Sequence, residues 1–152
     1  MNQHSKPIRI SVVDDENVIA STLTLILRIK GFDATAFNAP LDALKAARIQ
    51  APDVLISDVV MPQCSGIDLA ILMKNQCPNC KILLFSGQAA TADLLQTASD
   101  AGHHFEIMLK PVHPAEILRK IAEVTAENRI NSEISVENLA NYVAQQTMLL
   151  TM

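Results

Sequence analysis

The sequence predicts an α/β domain built on a doubly wound, five-stranded parallel sheet, and two observations lead to this prediction. Five short apolar runs alternate along the chain with longer segments in which apolar residues recur at helical spacing. The runs are apolar at nearly every position, which is typical of parallel strands covered by helices on both faces. The predicted strands, numbered β1 to β5 in chain order, span residues 8–13, 33–37, 53–57, 81–86 and 105–109.

A predicted helix follows each strand, and these helices are numbered α1 to α5. Residues typical of helix ends set their limits: Gly31 after α1, Asn38 as the cap of α2, Ser65 and Asp68 with capping-box spacing in α3, Gly102 after α4 (residues 91–101), and Pro114 in the first turn of α5. The residues expected to face the core are Ile19, Leu23, Ile26 and Leu27 in α1, Leu41, Leu44 and Ala47 in α2, and Ile117, Leu118, Ile121 and Val124 in α5.

The chain of 152 residues is long enough for one domain with a real core. Its composition, 49% hydrophobic and 18% charged, is that of a compact protein rather than a disordered one. We expect residues 1–7 to form an N-terminal extension, residues 8–125 the domain, and residues 126–152 a polar linker with a short helical tail. This tail is shorter than a typical independent domain.

Several classes of function are disfavoured by charge and composition. The net charge is −4, aromatic residues make up 3%, and residues 126–152 hold one Arg against three Glu, so direct nucleic-acid binding is not expected. No apolar run approaches the roughly 18 residues of a membrane span. The N-terminus lacks the apolar core of a signal peptide, and three cysteines do not suggest a disulfide framework. A cytoplasmic location is therefore expected.

Polar residues follow four of the five predicted strands. Asp14, Asp15 and Glu16 follow β1, Asp58 follows β3, Ser86 and Gly87 end β4, and Lys110 and Pro111 follow β5. The carboxyl ends of parallel strands form the ligand-binding edge of an open α/β sheet. Clustered carboxylates suit Mg²⁺, and a carboxylate can also act as a nucleophile toward phosphorus.

Four motifs in this order, "VVDDE", "LISDVVMPQCSG", "LLFSG" and "LKP", resemble the receiver domain of two-component response regulators over roughly residues 8–125. The resemblance implies a flavodoxin-like sheet with strand order 2-1-3-4-5, which is the order found in this family. It implies that Asp58 is the phosphoacceptor and that Ser86 and Lys110 bind the phosphoryl group. It also implies a Mg²⁺ site made by Asp15, Asp58 and the Val60 backbone carbonyl, with Asp14 helping mainly through water, and a cis bond between Lys110 and Pro111.

The function implied is that of a single-domain response regulator, a phosphoprotein of signal transduction. A sensor histidine kinase or phosphotransfer protein would phosphorylate Asp58 in a Mg²⁺-dependent reaction. The signal would then pass to a downstream protein through the α4-β5-α5 face, or onward by phosphorelay, with self-association into a homodimer left open. The chain would catalyse only its own phosphorylation and dephosphorylation, and so would not be an enzyme acting on external substrates.

Two other functions compete with this one. A Mg²⁺-dependent phosphohydrolase usually needs a second Asp two residues after its nucleophile, and that position is Val60. A phosphate-independent interaction module of receiver fold is the main alternative. The intact set of Asp14, Asp15, Asp58, Ser86 and Lys110 argues against it.

The sequence departs from the family pattern beside the site. Receivers usually carry Tyr or Phe three residues before the lysine, and here that residue is Ile107. Phe105 should project to the same side one pleat away, so either Phe105 takes over this role or the switch aromatic is absent. Val60 and Gln88 should border the water path to the phosphoryl group, and apolar Val60 is expected to slow dephosphorylation.

The "CPNC" stretch from Cys77 to Cys80 invites a metal or redox interpretation. No second CxxC exists to complete a zinc site, and Cys64, His103 and His104 could contribute only if folding brought them close. A reactive CxxC normally lies at a helix N-terminus, whereas this one follows a helix. A structural role is therefore the favoured interpretation.

Overall fold

The structure is a computed structural model that describes residues 6–87 and 91–126. Its elements are β1 (Arg9–Val13), α1 (Asn17–Ile29), β2 (Asp33–Phe37), α2 (Pro40–Ile49), β3 (Val54–Asp58), α3 (Gly66–Gln76), β4 (Lys81–Ser86), α4 (Thr91–Asp100) and β5 (Glu106–Leu109). Residues 114–126 form a further helix, α5. The predictions made for Gln88, for residues 1–5 and for the tail beyond residue 126 lie outside the described residues.

The five strands form one parallel sheet with the order β2-β1-β3-β4-β5. The predicted strand order and fold class are therefore confirmed, and β2 lies at an edge of the sheet. Central strands β1, β3 and β4 are buried along almost their whole length, which is typical of strands in the middle of a parallel sheet. Because the strands are parallel, their carboxyl ends all lie at the same end of the sheet.

A hydrophobic core fills the space between the sheet and helices α2 and α3. Leu55 and Leu84 from the sheet meet Leu69 and Met73 of α3 in this core, and all four are fully buried. Cys77 and Cys80 belong to the same core. Among residues 6–87 and 91–126, none of the helices has the length and apolar character needed to cross a membrane.

The chain divides into two units, Met1–Ile117 and Leu118–Met152. The first unit contains the sheet and all the residues of the predicted site. Within the described part of the second unit, Lys120 pairs with Glu123 at 3.3 Å, and the Thr125 hydroxyl donates to the Ile121 carbonyl at 2.7 Å.

The predicted core face of α1 is wrong in part. Its buried residues are Ala20, Thr24 and Leu27, whereas Ile19, predicted to face the core, is exposed. The small side chains of Ala20 and Thr24 let the helix lie close to the sheet. The helix is apolar around much of its circumference, so the hydrophobic pattern alone did not identify the side that packs.

The predicted start of α2 is also wrong. Ala39 is the N-cap residue, Pro40 occupies the first turn, and no side chain caps the helix. Proline can occupy this position because its missing N–H is not needed there. Asn38 instead donates from Nδ2 to Asn17 Oδ1 at 3.3 Å, and Leu41 is exposed rather than buried.

The predicted helix ends at Gly31, Ser65 and Gly102 are confirmed, whereas strands β1, β3 and β5 each begin one residue later than predicted. Ser65 caps α3, and its hydroxyl accepts a hydrogen bond from the Asp68 N–H at 3.1 Å. Gly31 and Gly102, which follow α1 and α4, have φ values of +94° and +91°. This left-handed backbone favours glycine at the ends of helices.

Candidate functional site

The sheet brings four strand ends together at one edge. Asp58 is the last residue of β3, Ser86 is the last residue of β4, and Asp14 and Lys110 directly follow β1 and β5. Backbone hydrogen bonds join neighbouring ends: the Lys110 N–H donates to the Ser86 carbonyl at 2.9 Å. These four residues are 24 to 96 positions apart in the sequence, and their convergence follows from the parallel topology, as the sequence predicted.

Lys110 lies between two of the carboxylates. Its Nζ is 3.1 Å from Asp58 Oδ2 and 3.9 Å from Asp14 Oδ2. A carboxylate at the end of a buried strand is costly without a partner, because charge is poorly solvated there. The Lys110 ammonium supplies that partner for Asp58 and reduces the repulsion between Asp58 and Asp14.

Asp14, Asp15 and Asp58 offer carboxylate oxygens that all lie within 4.8 Å of one another. Within the part of the chain that the structure describes, this is the one group of three or more such residues placed to hold a metal ion. Three hard oxygen donors, one of them from an exposed residue, fit Mg²⁺, which keeps several of its waters. Asp14 is buried and Asp15 is exposed.

Burial raises the pKa of Asp14 above its ordinary range. The Glu16 N–H, which donates to Asp14 Oδ1 at 2.9 Å, and the charge of Lys110 both counter this effect. The charges of Asp58 and Asp15 add to the effect of burial. The buried carboxylate of Asp14 is thus held in an environment that would favour a bound cation.

The loop after Asp58 returns close to the carboxyl end of β3 at Gly66. The Gly66 N–H donates to the Val59 carbonyl at 2.8 Å, and a Cβ atom on Gly66 would collide with the Asp58 carbonyl oxygen. The Val60 N–H points to Asp58 Oδ1 at 3.4 Å, and the Val60 side chain is about half exposed. The roles of the Val60 carbonyl in metal binding and of its side chain in excluding water stay predictions.

Ser86 and the Lys110–Pro111 bond complete the edge. Ser86 is fully buried, and the peptide bond between Lys110 and Pro111 is cis, as the resemblance implied. A Cβ atom on Gly87 would meet Lys110 Cβ at an ordinary 3.8 Å, so Gly87 leaves space beside Lys110. Binding of a phosphoryl group by Ser86 and Lys110 stays a prediction.

Phe105 and Ile107 project to the same side, as predicted. Both are partly buried and pack against the same hydrophobic core. The Phe105 ring also stacks on the His103 ring, with 5.8 Å between the centroids and 15° between the planes. Phe105 lies just before β5 rather than within it.

Cys77 and Cys80 are buried at the end of the sheet opposite to Asp58. They flank the turn between α3 and β4, where the Cys80 N–H donates to the Cys77 carbonyl at 3.0 Å. Burial raises the pKa of Cys80 to about 12, and Cys64, Cys77 and Cys80 are all free thiols. An apolar location and a raised pKa are typical of a structural cysteine rather than a reactive one.

Sequence reasoning missed an apolar groove that reaches the site. The groove has a volume of about 640 Å³, and Asp14 and Lys110 are among the residues that line it. Val18, Ile19 and Leu23 of α1 line one side of it. The signal in the sequence was that α1 carries more apolar residues than one core-facing stripe requires.

Comparisons with known proteins agree with this geometry. The family model described as "Response regulator receiver domain" matches residues 10–122. The chain is 30% identical over 116 residues to a probable transcriptional regulatory protein, TcrX, of Mycobacterium tuberculosis, covering 76% of this chain and 49% of the relative. It is also 30% identical over 135 residues to the DNA-binding response regulator MtrA of Mycolicibacterium paratuberculosis, covering 87% and 56%.

The chain thus spans about half the length of these curated relatives. It covers 95% of another relative, the response regulator receiver protein CpdR of Brucella abortus, with 29% identity over 116 residues and 76% of this chain. Among solved structures, a receiver domain protein from Clostridium thermocellum has a TM-score of 0.71 and 25% identity, covering 80% of this chain and 97% of that one.

The family model covers well over half of the chain, and the strand order, the acidic cluster and the lysine after β5 all lie inside the matched residues. This chain belongs to the family of response regulator receiver domains of two-component signal transduction.

Proposed function

We propose that the chain accepts a phosphoryl group on Asp58 in a Mg²⁺-dependent reaction and signals in that state. The observation that carries this proposal is the position of the Asp58 carboxylate, 3.1 Å from the Lys110 ammonium and within 4.8 Å of oxygens from Asp14 and Asp15. A nucleophilic carboxylate, a cation and a site for a metal ion are the groups that phosphoryl transfer to aspartate requires.

The donor in this proposal is a phosphohistidine of a sensor histidine kinase or phosphotransfer protein. An Asp58 carboxylate oxygen forms the new bond to phosphorus as the bond from phosphorus to the histidine nitrogen breaks. The electron pair of that bond stays on the imidazole, which then takes up a proton. Asp58 is well placed for this role because it ends its strand at the open edge of the sheet.

Each residue around Asp58 has a proposed task in this reaction. Lys110 pairs with the phosphoryl oxygens and exchanges its contact with the Asp58 carboxylate for them. The Ser86 hydroxyl donates a hydrogen bond to the same group. Asp14, Asp15 and Asp58 would hold Mg²⁺ together with the Val60 carbonyl, and the ion would offset negative charge on the phosphoryl oxygens.

The proposed output is binding of a downstream protein through the α4-β5-α5 face, or transfer of the phosphoryl group to another protein. Turnover of external substrates is not part of the proposal, because Val60 stands where a phosphohydrolase would carry its second acidic residue. Partner choice stays open, since relatives such as MtrA are described as DNA-binding and are about twice as long as the matched region.

The test is the intact mass of the protein after incubation with acetyl phosphate, with and without Mg²⁺. One phosphoryl adduct is expected for the native chain with Mg²⁺, and none with EDTA. Asp58→Ala should lack the adduct, whereas Asp42→Asn, which changes an exposed carboxylate on α2, should keep it. An adduct that persists in Asp58→Ala would show that another residue accepts phosphate.

Absence of the adduct, with the fold intact, would favour the phosphate-independent interaction module. A second donor separates the two explanations for such a result. Phosphoramidate is a small donor, and it carries the P–N bond of a phosphohistidine. Failure with both donors in the presence of Mg²⁺ would contradict the proposal for this chain.

A further inference from the structure

Ser57 is a polar residue inside an otherwise apolar strand. It follows Val54, Leu55 and Ile56 in β3 and is fully buried, like those three residues. A buried hydroxyl group without a hydrogen bond is costly, so it needs a partner. The Ser57 hydroxyl has its partner in the next residue, because Oγ donates to the backbone carbonyl of Asp58 at 2.9 Å. Ser57 is thus bonded directly to the backbone of the proposed phosphoacceptor.

The peptide group between Asp58 and Val59 is held by contacts on both of its polar atoms. Its carbonyl oxygen accepts the hydrogen bond from Ser57, and its N–H donates to the Phe85 carbonyl of β4 at 2.9 Å. Gly66 lies so close to the same carbonyl that a Cβ atom there would collide with it. Three contacts therefore fix the orientation of this peptide plane.

The orientation of the peptide plane affects the Asp58 carboxylate. Oδ2 is paired with Lys110 Nζ at 3.1 Å, and Oδ1 lies 3.4 Å from the Val60 N–H. Val60 follows the peptide plane along the chain, so a rotation of the plane would move this N–H away from Oδ1. Lys110 alone would then orient the carboxylate. Attack on phosphorus depends strongly on how the nucleophile is oriented.

We propose that Ser57 is a positioning residue for the phosphorylation of Asp58. Its hydroxyl holds the peptide between Asp58 and Val59 in the orientation that directs the carboxylate toward the incoming phosphorus. This inference rests on the proposed function, because it gives Ser57 a role in that reaction. Ser57 acts through the backbone of Asp58 and does not itself contact the phosphoryl group. A residue with a purely structural role in β3 could be apolar like the three before it.

The first test is the initial rate of adduct formation with acetyl phosphate at saturating Mg²⁺. Ser57→Ala should react roughly tenfold more slowly than the native chain, because its nucleophile is less well oriented. Ser11→Ala is the matched control. Ser11 is a buried serine in the middle of β1, the strand that pairs with β3, and its loss should leave the rate unchanged. Circular dichroism confirms that both variants are folded at the assay temperature.

A second pair of variants separates the hydroxyl group from packing. Ser57→Thr and Ser57→Val both place a β-branched side chain in the strand, but only threonine keeps a hydroxyl group. Any overpacking in the buried site affects both variants. The threonine variant should react faster than the valine variant by roughly the same tenfold factor. Equal rates for these two variants would overturn the proposal.

Hydrogen exchange of backbone amides, measured by NMR in EDTA, tests the positioning without metal or phosphodonor. The Val59 amide should exchange at least roughly tenfold faster in Ser57→Ala than in the native chain, because its peptide group has lost one hydrogen bond. The amides of Leu55 and Ile56 in the same strand are the internal control. A general loss of stability would accelerate all three amides equally, whereas the proposal expects the change to be concentrated at Val59.

Failure of this inference and failure of the proposed function give different results. A native chain that forms no adduct would contradict the proposed function, and the role of Ser57 would fall with it. A native chain that reacts, with Ser57→Ala reacting equally fast, would overturn the role of Ser57 alone. The same conclusion would follow if Ser11→Ala slowed the reaction as strongly, or if the Val59 amide kept its native exchange rate in Ser57→Ala.

Discussion

Asp14 is buried and negatively charged, and these two properties oppose each other when no cation is bound. Its Oδ2 has Lys110 only at 3.9 Å, while Asp15 and Asp58 lie close by. Burial therefore raises its pKa, and ionisation of Asp14 works against folding. The negative charge of Asp14 therefore lowers the stability of the metal-free protein, and it suits a residue whose task is to bind a metal ion.

The variant Asp14→Asn is expected to be more stable than the native chain at neutral pH in EDTA, by about 1 kcal/mol, because it removes a poorly compensated buried charge. The measurement is urea unfolding followed by circular dichroism. A carboxyl group whose pKa is raised in the folded state destabilises the fold once the pH rises above the pKa that the group has in the unfolded chain. The difference between the proteins should therefore shrink toward pH 3.8, the ordinary value for Asp. A less stable Asn variant in EDTA would contradict this explanation.

Gly66 occupies a position where no side chain fits. A Cβ atom there would collide with the Asp58 carbonyl oxygen, which belongs to the strand end that carries the site. We expect Gly66→Ala to destabilise the fold by about 1–3 kcal/mol, because backbone must move to relieve the overlap. Urea unfolding measures this change.

Gly87→Ala is the matched control for that variant. Its new methyl group would meet Lys110 Cβ at an ordinary contact distance of 3.8 Å. It should leave the free energy of unfolding close to the native value. Equal stability of the two variants would show that the loop before α3 adapts easily, and that Gly66 is not needed for its close approach to β3.

Single residues of the site were predictable where topology alone places them. Asp14, Asp58, Ser86 and Lys110 each end or follow a recognisable apolar strand, and parallel strands converge at one edge. The burial of Asp14 and the contact of Gly66 with the Asp58 backbone were not predictable in the same way. Both depend on how loops pack, which no periodic pattern in the sequence records.

At the scale of the element, α1 shows where the hydrophobic pattern fails. Ile19 was expected in the core, yet the helix packs on Ala20, Thr24 and Leu27. A helix with apolar residues on several sides has more than one candidate face, and the choice depends on which side lets the helix lie close to the sheet. Helix α3 was easier to predict because Ser65 caps it through a single local hydrogen bond.

The turn between α3 and β4 encloses two thiols, and their protection is a testable property of that element. Burial raises the pKa of Cys80 from 9.0 to about 12. The thiolate is the reactive form, so its fraction at neutral pH falls by roughly a thousandfold. The pKa of Cys80 is higher in the folded chain than in the unfolded chain, so the protonated thiol favours the folded state. This stabilisation is fully present below about pH 9 and is lost as the pH rises toward 12.

Alkylation with iodoacetamide at pH 8, followed by peptide mass mapping, should therefore label Cys64 first and Cys80 last in the folded protein. Cys64 is partly exposed, whereas Cys80 is buried. In urea all three cysteines should react at similar rates, which serves as the control. Rapid labelling of Cys80 in the folded chain would instead indicate that the turn opens, and it would revive the reactive interpretation of the CxxC pair.

At the scale of the whole molecule, the acidic cluster links metal binding to folding. The unfolded chain separates Asp14 from Asp58 by more than 40 residues, so the site for a divalent cation exists only in the folded state. A ligand that binds only the folded state stabilises it by about 2.7 kcal/mol at a hundred times its dissociation constant. Mg²⁺ should therefore raise the melting temperature, and Asp58→Ala should lose most of this increase.

An equal ionic strength supplied by NaCl is the control, because screening alone changes the repulsion among the carboxylates. If Asp14, Asp15 and Asp58 hold the ion, Mg²⁺ stabilises the native chain beyond the effect of NaCl, while the exposed Asp42→Asn variant keeps the full increase. If NaCl reproduces the effect, the cluster responds to screening only. The acidic cluster would then not be a Mg²⁺ site, and an adduct formed on Asp58 without Mg²⁺ would become the expected result.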